Sequence, residues 1–223
     1  MTADRLIANL VRDLEPVTPL SPPGIRAGQW VVLAVTAGVL AVATLGVRDE
    51  LAATVSTVPF QVHGVLLLIA TVMSAGAAMV LAAPGERLSA WRAWAALLAA
   101  VAWGAWLAGE LGLAAASHTI GAWNIDQGWG CVGKAVAIEL VPGIALFTML
   151  GRGAAIDTRR AAMFGGLAVV GVGALGLEFG CPNTLPMHLL IWHAGPVLVF
   201  TVVAAFAGGL WLARQNDLVA AEQ

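Results

Sequence analysis

Six stretches of about twenty residues, nearly free of charge, punctuate this chain, and no other feature constrains its fold as strongly. A bilayer core of about 30 Å is crossed by a helix of roughly 20 apolar residues. Windows of that kind fall at 28–47, 61–83, 93–115, 132–150, 161–180 and 188–212, separated by charged or Pro/Gly-rich joints. No charge occurs between Arg26 and Arg48, from Ala93 to Gly109, or from Ala161 to Leu177. At 60% hydrophobic and 11% charged residues, the chain is too apolar for a soluble domain of 223 residues. The expected fold class is all-α, a six-transmembrane-helix bundle over residues 28–212.

Orientation follows from the basic residues, because short loops rich in Lys and Arg stay in the cytoplasm. Arg5, Arg12, Arg26, Arg87, Arg92, Arg152, Arg159, Arg160 and Arg214 share one side, leaving Arg48 and Lys134 on the other. Residues 1–27, the loops near 84–92 and 151–160, and a tail of residues 213–223 are therefore expected in the cytoplasm. Loops 48–60, 116–131 and 181–187 face outward, which in a bacterial inner membrane means the periplasm. The first 27 residues carry acids and a Pro pair and have no short apolar core, unlike a cleavable signal peptide. Scattered single Lys and Arg residues form no basic stripe, which argues against direct contact with nucleic acid.

Within the spans, Gly38, Gly76, Gly165, Gly166, Gly171, Gly173 and Gly176 suit close helix packing, since helices in lipid associate where small side chains let backbones approach. Trp30, Trp91, Trp94, Trp123, Trp129 and Trp211 fall near the expected interfaces and read as an aromatic belt.

Chemistry concentrates at the outer face. Cys131 opens the fourth window and Cys181 closes the fifth, and the chain has no other thiol. Antiparallel neighbours would bring the two to one level, where a disulfide is possible if the Cα atoms lie within roughly 4.4–6.8 Å. Two small buried hydrophobes are the plain alternative. Glu178 lies three residues before Cys181, and His188 and His193 follow it, so these five residues are candidate ligands for zinc or a soft heavy-metal ion. Their spacing matches no standard zinc motif, and positions i, i+5 lie on different faces of a straight helix. Glu110 and Glu139 are further acids inside the spans, where ionisable groups are costly and point to function. Glu139 is a potential partner for His193.

Ahead of the first window, Leu6, Ile7, Leu10, Val11 and Leu14 line one face of a short helix, while Asp4, Arg5, Asn9, Arg12 and Asp13 occupy the other. Thr2 or Asp4 can cap its start and Pro16 ends it. A helix of about a dozen residues is marginal in water, so its apolar stripe needs a partner. Acids on its polar face point to a protein rather than to lipid.

Together, Asp4-Arg5-Leu6-Ile7-Ala8-Asn9-Leu10, Asp13-Leu14-Glu15-Pro16-Val17, six spans, a Cys at the start of the fourth, and Cys181-Pro182 leading to Trp192-His193 resemble the NrsF-type anti-sigma factors. The resemblance covers nearly the whole chain. It implies an inner-membrane negative regulator that holds an extracytoplasmic-function sigma factor and responds to metal or oxidative stress through paired cysteines. Many members carry a His just before the second Cys; Gly180 stands there in this chain, so a metal site would draw on Glu178 or His188 instead.

Two other classes fit less well. A membrane thiol oxidoreductase or quinone-linked enzyme calls for Cys-x-x-Cys or a second exchange-competent pair, which the sequence lacks, so no catalytic residue is expected. A small metal or proton transporter using Glu110, Glu139, Glu178 and His193 would be expected to show an internal repeat or helices broken at matched positions.

Overall fold

The structure, a computed structural model, describes residues 5, 7, 11, 19–117 and 128–221. Every regular element among them is helical. The six long helices are α1 (Pro23–Leu45), α2 (Val58–Leu81), α3 (Ala90–Ala116), α4 (Trp129–Gly151), α5 (Thr158–Gly180) and α6 (Pro186–Leu218), each long and apolar enough to cross a membrane. Each coincides with one expected window, and the differences lie at the ends. Helix α1 starts at Pro23 rather than at residue 28. Its first turn is preset by a proline at N1, where the missing N–H costs nothing. Arg26 therefore lies inside the helix, and it is buried because its guanidinium donates to the carbonyl of Met149 in α4. The final helical segment runs on through Gly209–Ala221, into the stretch expected to be a tail.

Helix α5 is the hub. Of its most apolar 18-residue stretch 72% is buried, against 11% for α1, so α5 is surrounded by protein while α1 faces outward. It packs against α2, α4, α6 and α1. Its start is capped by Asp157, whose carboxylate accepts from the Arg160 N–H at 3.0 Å. Glycine makes the close crossings possible. A Cβ on Gly166 would run into Ala204 of α6, and one on Gly173 would run into the Glu139 carboxylate of α4. In lipid this replaces hydrophobic drive with intimate van der Waals contact.

Trp30 departs from the aromatic belt. It is 1% exposed, and its indole N–H donates to the carbonyl of Pro142 in α4 at 2.9 Å. A buried indole must find an acceptor, and this bond ties α1 to α4. Trp91, Trp94 and Trp129 are exposed, as belt residues are. Trp123 lies outside the described residues.

Candidate functional site

Helix α5 ends where it does because the residue before a proline is pushed away from helical backbone. Cys181, preceding Pro182, is extended at φ −100° and ψ 120°. That turn aims its sulfur at Cys131 in the first turn of α4. The two Sγ atoms are 3.2 Å apart, both as free, buried thiols. His188 Nε2 stands 3.4 Å from each of them. With His193, one donor atom from each of the four residues lies within 4.8 Å of every other.

The straight-helix expectation for His188 and His193 is corrected here. Residues Leu190–Ala194 form a π-helical turn, in which Gly195 N–H bonds to the Leu190 carbonyl five residues back. Pro196 accounts for it: the ring has no N–H for the Trp192 carbonyl and would clash with it in a regular α-helix. The wider turn brings the two imidazoles to a centroid separation of 5.5 Å. Gly195-Pro196 was the sequence signal for this.

Glu178 goes elsewhere. It is still on helical backbone, whereas Cys181 has left the helix, so their spacing of three does not give a shared face. Glu178 Oε1 lies 3.5 Å from His63 Nδ1 of α2, and Glu110 Oε2 of α3 lies 3.4 Å from His63 Nε2. Glu110 also accepts from the Trp106 indole at 2.8 Å. His63 is the residue that sequence reading missed, although a histidine inside an apolar window carries the same signal that singled out Glu110. Glu139 packs on Gly173 and makes no hydrogen bond or ion pair with His193, so the pairing of Glu139 with His193 is not formed.

Cys181 lies just beyond the membrane-spanning helix. Its hydrogen bond with Cys131 holds it below the ordinary thiol range, against the opposing effect of burial. The thiolate is the form that binds metal and attacks oxidants. Two thiols and two imidazoles make a donor set that would suit zinc or a softer cation.

Ile7 and Val11 are helical and exposed, four residues apart and so on one face. Leu6, Leu10, Asp13 and Leu14 lie outside the described residues.

Residues 10–213 match the family NrsF, described as negative regulator of sigma F. The chain belongs to the NrsF family. The match takes in five of the long helices, most of α6 and the whole Cys/His cluster, so this NrsF member is a six-helix membrane protein that regulates a sigma factor negatively. No curated protein and no solved structure matches the chain.

Proposed function

We propose that this NrsF-family chain is a membrane-embedded anti-sigma factor with its input and output on opposite faces of the bacterial inner membrane. Residues 1–27 hold an extracytoplasmic-function sigma factor at the cytoplasmic face, with Leu6, Ile7, Leu10, Val11 and Leu14 as apolar anchors and Asp13 beside them. Helix-in-groove binding uses anchors at this spacing. The six-helix region is the sensor, and its periplasmic signal is a heavy-metal ion or oxidation at Cys131 and Cys181. Neither direct nucleic-acid contact nor catalysis is part of this reading. The orientation rests on the positive-inside bias, and the burial of Arg26 beside Met149 is consistent with that bias.

One observation carries the sensing: the free thiols of Cys131 and Cys181 are 3.2 Å apart, with His188 Nε2 3.4 Å from both. Two-electron oxidation by a peroxide-class oxidant would join the sulfurs in a disulfide, while the peroxide takes up whatever protons the thiols still hold and is reduced to water. The two imidazoles favour the metal, because a disulfide has no use for them. Either event changes the preferred packing of α4, α5 and α6. A coupling of about 1–3 kcal/mol would change sigma-factor affinity about 5- to 150-fold.

A promoter reporter for the sigma factor tests this in cells. Cys131→Ser with Cys181→Ser should keep repression in unstressed cells and abolish induction by Cd²⁺. Normal induction in that variant would remove the thiols from the mechanism.

A further inference from the structure

A cavity of about 550 Å³ opens at the outer end of the bundle and joins two groups of residues that are far apart in sequence. Cys181 and His193 of the thiol cluster line it, and so do Arg48, Glu50, His63, Glu110 and Glu178. Three carboxylates against one guanidinium make its wall favourable to cations. Exposure falls along it: Glu50 is open to solvent, the Glu110 side chain is 19% exposed, and His63 and Cys181 are each 2% exposed.

A buried imidazole nitrogen in this wall lacks a hydrogen bond. His63 Nε2 faces Glu110 Oε2 at 3.4 Å, within ion-pair reach but outside hydrogen-bond geometry. A buried polar atom left unpaired is costly, so its persistence here calls for an explanation. An imidazole nitrogen and a carboxylate oxygen set side by side are the donors a divalent cation takes up as it sheds water.

We infer that this cavity is the entry route of a soft divalent cation to the thiol cluster, with Glu110 and His63 as the first station and Cys181 and His193 as the second. The inference rests on the metal reading of the cluster given above. Glu50 and Glu110 raise the local cation concentration at the mouth. Glu110 Oε2 and His63 Nε2 replace part of the hydration shell, and the cation then passes to the sulfur of Cys181. Protons still held by the thiols leave to solvent as the sulfurs bind, and the two thiolates balance the charge of the ion. Glu178, on the far side of the His63 ring at 3.5 Å, is a positioning residue that keeps Nε2 turned towards Glu110.

Stopped-flow mixing of CdCl₂ with the full-length protein in lipid nanodiscs reads this directly, through the ultraviolet absorbance of the cadmium–thiolate bonds. Glu110→Gln should slow association about tenfold or more and flatten its dependence on ionic strength, as expected when electrostatic steering is removed. The final absorbance should stay unchanged, and Glu110→Asp should restore much of the rate. Glu50→Gln, at an exposed position that folding tolerates, should slow association by a smaller factor with the same loss of salt dependence, and it decides the matter if Glu110→Gln does not fold. Wild-type rates and salt dependence in both variants would overturn the entry route and leave the cluster intact. No cadmium–thiolate absorbance in the wild-type protein would overturn the metal reading itself, and the route with it.

Discussion

The amide of Gly195 donates to the carbonyl of Leu190, five residues back instead of four, and this single wide turn sets His188 and His193 on one face of α6. A π turn amounts to one extra residue in an α-helix. Deleting Ile191 together with Pro196→Ala, which removes the ring that forces the wide turn, should therefore restore regular winding, leave the helix after Val197 in place and swing His188 away from the sulfurs. Cd²⁺ affinity should fall by about tenfold or more, on the scale seen when the support of a metal ligand is lost. Equilibrium titration of the purified protein checks this, with circular dichroism confirming unchanged helix content.

Cys181 sits below the ordinary thiol range because of its hydrogen bond with Cys131. At neutral pH metal uptake should therefore release fewer than two protons per cation. Affinity should still rise with pH, since any proton left on the donors competes with the metal. Pairing the Cd²⁺ titration with a pH indicator in weak buffer measures the stoichiometry. Two protons per cation would mean that both thiols are fully protonated beforehand.

Gly166 lets α6 approach α5, and any Cβ there meets Ala204. Gly166→Val should destabilise the bundle by about 1–3 kcal/mol through overpacking. Unfolding in mixed SDS micelles, monitored by tryptophan fluorescence, provides the number.

Trp30 donates to the carbonyl of Pro142, linking α1 to α4 deep in the protein. Trp30→Phe keeps most of the ring and removes the bond, so it should cost about 0.6–1.7 kcal/mol, the range for hydrogen bonds between membrane helices. The same unfolding assay applies, and a neutral result would make the indole a packing group only.

At the cytoplasmic end, Leu10→Asp with Leu14→Asp in the full chain should weaken sigma-factor binding and raise reporter output without stress. Charge placed on an apolar anchor is costly to bury. Unchanged repression would move the binding surface away from this helix face.

The six helices were legible because the charges that separate them are few and well spaced. Arg26 misled the placement of the first helix end: a long cation was read as a boundary, yet its guanidinium finds a carbonyl inside the bundle. That Cys131 and Cys181 lie at one end of the bundle followed from antiparallel neighbours alone. The place of the histidines did not, since it depends on how the chain accommodates Pro196. Glu178 was grouped with the thiols by helical spacing, which stops applying at the residue before Pro182. Its partner His63 lies on another helix, and only tertiary packing joins them.

The most direct test measures sigma-factor affinity for the full-length protein in nanodiscs, with and without CdCl₂, in wild type and in Cys131→Ser with Cys181→Ser. A thiol switch requires the wild-type affinity to weaken by about 5- to 150-fold on adding the metal, and the double variant to bind equally well in both conditions. Wild-type affinity that is unmoved by Cd²⁺ and by a peroxide alike would contradict it.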